Sequence, residues 1–287
     1  MGPIEYLEMI EWIQNRFKCK LVIHFMDDWL DTAYTTGVFK FLRKKMLEKV
    51  NSLVKNSDAT MAISNSMANA YQQRFNREFS VFHNGFSIDS IQKYNLKKSS
   101  ETQKIITYFG SVFEQAQSES LRDLIEVTAS IKNIQFKIVT PQYSIPLCKK
   151  ISTAHNHVQI EEINGSDSQF FETISKSNLL LLPVNFDKES TQFIKYSMPT
   201  KLPGYLASKT PILVYGPKEI EQTSSAQEKK WGACVTERNP EVLIKEIHKC
   251  LYDSSFQSEL LKNSEIFLKK EFDMNQLRED FQAILNH

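Results

Sequence analysis

Lys201, set between two prolines, is the side chain best placed to do chemistry in this chain. The segment Ser197-Met198-Pro199-Thr200-Lys201-Leu202-Pro203-Gly204-Tyr205 joins two apolar runs, Leu179 to Leu182 and Pro211 to Tyr215. Both runs read as buried strands. The polar, proline-set start between them reads as a helix N-terminus, where open α/β sheets hold anions. A cation in the first turn opposes the helix dipole, so Lys201 is better tolerated beside a bound anion. The alternative is an ordinary solvated lysine. A second such place is Gly110-Ser111, after the apolar run Lys104 to Phe109 and before a helix from Ser120. Glycine there lets a phosphate approach the backbone, and the helix start adds partial positive charge.

Asp27 and Asp28 close another short apolar run, Lys20 to Phe25, which also carries His24. Adjacent carboxylates raise one another's pKa and supply a general base or grip hydroxyls. The alternative is that Asp28 caps the turn and that His24 is structural. No His, Cys or carboxylate cluster has metal-ligand spacing, so no metal and no cofactor is expected. G-x-S-x-G, Walker A and G-x-G-x-x-G are likewise missing.

These groups need a scaffold, and the hydropathy pattern supplies one. Ile4, Leu7, Met9, Ile10, Ile13 and Phe17 recur at helical spacing after Pro3. The spacing then predicts a strand ending at Phe25, an amphipathic helix over Val38 to Lys55 and a strand over Ala59 to Ile63. Ser64 should cap a helix from Asn65 to Phe75, before a strand at Phe79 to Phe82. Further strands are predicted at 104–109, 136–139, 158–160, 179–182, 212–215 and 233–235, with helices at Ser120 to Ser130 and Ser168 to Ser177. Helical periodicity runs from Pro240 to the end, broken near Glu271-Phe272-Asp273. This βαβ rhythm predicts α/β architecture with parallel sheets, the first having about three strands and the second about six.

The chain has 287 residues, 41% apolar and 24% charged, enough for two domains with separate cores. A formal charge of +1 gives no overall attraction to nucleic acid. Cys19, Cys148, Cys234 and Cys250 lie far apart without pairing or zinc spacing, which favours a reducing cytoplasmic setting. No signal-peptide pattern opens the chain, and no apolar run approaches the ~20 residues of a membrane span. Phe39 to Lys55 combines Lys40, Arg43, Lys44, Lys45, Lys49 and Lys55 with Phe39, Leu42, Met46, Val50 and Leu53. It therefore either packs one face on the sheet or lies on an anionic membrane at the inner face.

Taken in order, these segments resemble retaining glycosyltransferases of the GT-B fold, in the family-4-like group (glycosyl transferases group 1). His24-Phe25-Met26-Asp27-Asp28-Trp29 resembles the acceptor-side segment, and Asp58 to Ser64 with Met67, Tyr71 and Phe75 the strand and helix after it. Val81 to Phe86 is similar to the Asn-Gly segment before the interdomain linker, placing Asn84 and Gly85 between domains. Tyr108-Phe109-Gly110-Ser111 resembles the first donor-domain turn, and Ser197 to Pro211 the donor segment. The resemblance implies two Rossmann-like domains. An incomplete, N-terminally truncated acceptor-side domain covers 1–90, a linker 91–103 and a nucleotide-sugar domain 104–271. A helix over 272–287 packs back toward the first domain.

The implied activity is metal-independent transfer of a sugar from a nucleotide-diphosphate sugar to a glycan or lipid-linked acceptor in polysaccharide biosynthesis. Gly110, Ser111, Ser197, Pro199, Thr200, Lys201 and Tyr205 would hold the donor, and Lys201 would stabilise the leaving diphosphate. Asp27, Asp28 and His24 would serve the acceptor side. The chain departs from the pattern at three places. Gly204 stands where the family has a glutamate for the donor ribose, Ser111 to Ser120 holds no base, and the first strands and glycine-rich loop have no counterpart before Pro3. Those departures also allow a truncated, non-catalytic relative that acts as a binding subunit.

Overall fold

The computed structural model describes residues 3–35, 37–87 and 103–286, and the chain forms two compact α/β units. The first comprises Met1–Asn84, Phe193–Met198 and Asn275–His287. It opens with α1 (Pro3–Phe17), β1 (Val22–Phe25), α2 (Trp29–Thr32), α3 (Arg43–Asn56), β2 (Ala59–Ala62), α4 (Asn65–Phe75) and β3 (Ser80–Val81). The strands form one parallel sheet in the order β1-β2-β3, with Phe25 beside Ala62 and Ala62 beside Val81.

Local chemistry explains the boundaries. Ser64 caps α4, its Oγ accepting the Met67 amide at 3.2 Å, and Asn76 ends that helix at a φ of 51°. Tyr71 meets Phe25, Phe75 and Phe79 edge-to-face, at 4.8, 5.5 and 5.7 Å between ring centres. Two expected elements come out shorter. The helix predicted from Val38 starts at Arg43, after a 3-10 turn at Lys40–Leu42. Arg43 is held there because its Nη1 donates to the carbonyls of Leu30 (2.9 Å) and Ala33 (2.7 Å). The strand predicted over Phe79 to Phe82 is regular only at Ser80 and Val81, because β2 ends at Ala62, whose carbonyl accepts the Phe82 amide at 2.9 Å; Phe79 and Phe82 are buried.

The second unit comprises Gly85–Gln192 and Pro199–Met274. Its strands are β4 (Lys104–Phe109), β5 (Ile134–Thr140), β6 (Val158–Glu162), β7 (Leu179–Pro183), β8 (Ile212–Tyr215) and β9 (Ala233–Val235). Between them run α5 (Ser118–Thr128), α6 (Ile145–Ser152), α7 (Asp167–Lys176), α8 (Lys188–Ile194), α9 (Leu202–Ala207) and α10 (Glu221–Lys229). After β9 come α11 (Pro240–Tyr252), α12 (Ser254–Glu271) and α13 (Met274–Asn286), the last of which belongs to the first unit. Besides the break at 271–273 the helical tail is interrupted at Asp253, whose carboxylate caps Phe256.

All six strands are parallel, in the order β6-β5-β4-β7-β8-β9. β7 and β8 are buried throughout, which is why they read as unbroken apolar runs. Succession runs outward from β4 in one direction and from β7 in the other, so the topological switch point lies between them. Of the linker expected over 91–103, all but Gln103 lies outside the described residues.

Candidate functional site

The carboxyl ends of β4 and β7, at the switch point, carry the densest set of unusual polar geometry. β4 ends at Phe109 and is followed by Gly110, whose φ of +139° is a conformation that L side chains rarely adopt. A side chain there would also begin 2.9 Å from Lys201 Nζ. Lys201 stands at the N-cap of α9 with its ammonium 4.0 Å from the centre of the Tyr108 ring. Cation–π attraction of this kind holds an ammonium without neutralising it. Among the described residues Lys201 makes no hydrogen bond or ion pair, and loss of solvent alone pulls it down to about 7. A partly buried lysine with no carboxylate partner, set against a side-chain-free turn, has the chemistry to hold an anion.

The turn itself is fixed from several sides. The Gly110 amide donates to Val139 (2.8 Å), the Val112 amide to Ser144 Oγ (3.1 Å) and the Phe113 amide to Gln117 Oε1 (3.2 Å). Of these four consecutive amides, that of Ser111 alone has no partner among the described residues. Its hydroxyl lies 2.7 Å from Tyr143 Oη. Buried Asn185, just after β7, accepts the Glu119 and Ser120 amides on Oδ1 and donates Nδ2 to the Glu114 carbonyl. Ser190 Oγ donates to the Gln115 carbonyl at 2.6 Å. Tyr205 is fully buried, and its hydroxyl accepts the Phe109 amide at 3.0 Å, so it braces the end of β4.

This geometry corrects two expectations. The start of α5 does not lend its positive end to the Gly110 turn, because Asn185 already caps its first amides. α9 is only six residues long, its first amide bonds to the Pro199 carbonyl at 2.9 Å, and Pro203 has no N–H. The positive groups that remain unpartnered here among the described residues are the Lys201 ammonium and the Ser111 amide, rather than helix termini.

Gly204, one turn beyond Lys201, is glycine for a reason of space. A Cβ there would sit 2.5 Å from Cε1 of Phe170, a ring from the first turn of α7. Phe170 packs edge-on against Phe109 at 5.0 Å and parallel to Tyr205 at 6.2 Å. A glutamate at 204 would have to expel this ring.

The acceptor-side candidates lie in the first unit, and the structure separates them. Asp28 is buried, its Oδ1 accepting the Tyr71 hydroxyl at 2.7 Å, and burial raises its pKa. Its charged neighbours are Asp31 and Arg74 rather than Asp27, which corrects the expectation of a mutually shifted Asp27–Asp28 pair. Asp27 is exposed and accepts the Ser197 hydroxyl at 3.2 Å. The adjoining Tyr196 carbonyl accepts from Ser64 Oγ at 2.8 Å. His24 lies at the surface of β1, where partial desolvation lowers its pKa beside the Phe82 backbone.

Asn84 ends the first unit and Gly85 begins the second. Gly110, Ser111, Lys201 and Tyr205 are thus gathered in one unit, Asp27 and Ser197 in the other; Pro199 is half-buried and Thr200 exposed. Tyr143, Asn185 and Phe170 escaped the sequence reading, and Tyr108 entered it only as part of the Gly110 turn. Asn185 left a signal, a polar residue directly after a buried strand. Among the described residues no group of His, Cys, Asp or Glu is arranged to hold a metal, and no helix is long and apolar enough to cross a membrane.

No family model matches the chain, and no curated protein matches it in sequence. Solved structures do match it in fold. Anabaena HepE in complex with UDP superposes with a TM-score of 0.72 at 14% identity, over 98% of this chain and 76% of HepE. TarM superposes at 0.70 and 12% identity over 100% of this chain. WaaG, a glycosyltransferase involved in lipopolysaccharide biosynthesis, superposes at 0.64 and 16% identity over 99% of this chain and 84% of its own. The chain spans 54% of the length of TarM. These likenesses establish the fold: two Rossmann-like α/β domains of the GT-B type, with parallel sheets.

Proposed function

From this GT-B scaffold, we propose that the chain is a glycosyltransferase that moves a sugar from a nucleotide-diphosphate sugar to a glycan or lipid-linked acceptor. The observation that carries the reading is the Lys201 ammonium, desolvated and without a carboxylate, beside the Gly110 turn. A diphosphate placed there would hold Lys201 in its charged form and meet that charge and the Ser111 amide in a low-dielectric setting, where both stabilise the charge that develops on a leaving group. Lys201 would do this work without a metal ion. HepE and TarM have been crystallised with UDP, which supports a nucleotide donor. Exposed Asp27, hydrogen-bonded by Ser197, and His24 are our acceptor-side candidates. Buried Asp28, already bonded to Tyr71, is a structural group in this scheme. Retention of configuration follows from the resemblance, and the anomeric signal of the product by NMR tests it.

Calorimetry with UDP, GDP and dTDP, followed by turnover of their sugars, tests the proposal directly. Failure of all three diphosphates to bind would remove it. Binding without turnover would favour the non-catalytic relative, a binding subunit.

We further propose cytoplasmic work at a membrane surface, through a smaller contact than the basic helix 39–55. The apolar face of α3 is spent on the core, with Met46, Val50, Leu53 and Val54 buried. Lys45 and Lys49 pair with Glu8 and Glu11. What stays exposed is the turn before α3, with Val38 80%, Phe39 59% and Phe41 71% exposed, next to the exposed Lys40 and to Lys44, which lies 3.9 Å from Glu48. Apolar side chains ringed by lysines suit an anionic lipid surface. Replacing Phe39 and Phe41 by serine should release the protein from phosphatidylglycerol vesicles in co-sedimentation; unchanged binding would sink the idea.

A further inference from the structure

Next to the Lys201 anion seat lies an aromatic surface that the proposed chemistry has not used. α9 presents Lys201 and, three residues on and hence on the same face, Gly204. At Gly204 the helix shows only backbone, and the Phe170 ring lies directly on it, where a Cβ would meet Cε1 at 2.5 Å and Cζ at 2.8 Å. The ring is locked edge-on to Phe109 at 5.0 Å and parallel to Tyr205 at 6.2 Å, and the Tyr205 hydroxyl in turn holds the Phe109 amide. Phe171 meets the ring edge-on from another side at 5.3 Å, and Phe170 is nevertheless only half-buried. This face of α9 therefore offers a cation, then an aromatic ring, with no carboxylate or hydroxyl between them.

We propose that Phe170 is the platform for the nucleoside of a diphosphate seated at Lys201, which grips that nucleoside by ring contact rather than through its ribose hydroxyls. The inference rests on the donor site proposed above. A rigid ring loses little entropy on binding and tolerates any base, because every base has a π-face. The other aromatic pair near the turn, Phe113 stacked on Tyr143 at 6.1 Å, is solvent-facing, with Tyr143 66% exposed, and so is less pre-organised. Glycine at 204 is, on this view, the residue that makes room for the platform.

UDP and 2′-deoxy-UDP titrated calorimetrically into the full chain test this. Wild type should bind the two within about threefold of each other, because the α9 face supplies no hydrogen bond to lose. Phe170→Ala should weaken both by about tenfold or more, the usual worth of a base–aromatic stack. Phe170→Leu, which keeps the bulk but not the π-face, should also weaken both while melting near the wild-type temperature. Gly204→Ala should weaken UDP in the wild-type background and add nothing to Phe170→Ala, because with the ring gone the new methyl has room. If Lys201→Ala abolishes UDP binding while both Phe170 variants bind normally, the platform is wrong and the anion seat stands. A tenfold preference of wild type for UDP over its deoxy form would overturn the hydroxyl-independent grip. No UDP binding at all would overturn platform and seat together.

Discussion

Asp28 and Lys201 are both ionisable groups withdrawn from water, one in each unit, and they are treated in opposite ways. Asp28 is given a partner: the Tyr71 hydroxyl donates to it at 2.7 Å within an aromatic nest, with Arg74 among its charged neighbours. Lys201 is given an aromatic ring and the bare backbone of a glycine, with no anion of its own among the described residues. A buried polar group that is satisfied holds a fold together, whereas one left unsatisfied is a standing cost unless a ligand completes it. On the proposed reading, the contrast separates a structural carboxylate from a functional ammonium better than sequence position does.

Breaking each half of this contrast should have different consequences. The largest effect is expected for Lys201→Ala. It should reduce diphosphate affinity by about a hundredfold, in line with a charge-assisted contact in a desolvated site, yet leave the melting temperature unchanged or higher. A large fall in melting temperature would make Lys201 structural after all. Asp28→Ala should do the reverse, costing about 1–3 kcal/mol in urea melts by stranding the Tyr71 hydroxyl. A stable Asp28→Asn variant that has lost all turnover would return Asp28 to the catalytic set. Gly204→Ala should cost about 1–2 kcal/mol by overpacking against Phe170, and Phe170→Leu should relieve that cost.

The smallest effects are in pH. The folded pKa of Lys201 is lowered, so the unfolded chain binds more protons between about 7 and 10.5, and stability should rise with pH across that window. Diphosphate affinity should fall over the same range, by up to about tenfold per unit, as the free ammonium is lost. The folded pKa of Asp28 is raised, so its contribution is fully present at acid pH and fades as pH rises through that pKa. Lys201→Ala should remove the alkaline trend and leave the acidic one.

Much of this molecule can be read from local pattern. Leu179 to Leu182 and Ile212 to Tyr215 declare themselves as buried parallel strands, and Ser64 before Asn65 declares a helix start, because periodicity and capping involve neighbours in sequence. The stretch 38–42 was harder. Its residues have helical spacing, but Arg43 is anchored to the carbonyls of Leu30 and Ala33, a contact that the spacing does not encode.

The site divides in the same way. Sequence alone singled out Lys201 and the Gly110 turn, because a strand end, a glycine and a cation are each visible locally. It also showed that position 204 bears no carboxylate. Only the tertiary structure decided that Lys201 is stripped of water over the Tyr108 ring, that Asn185 has already claimed the start of α5, and that Phe170 occupies the space at Gly204. Each of those facts joins residues from 34 to 93 positions apart in the chain. Burial and hydrogen-bond satisfaction depend on such distant neighbours, which no periodicity records.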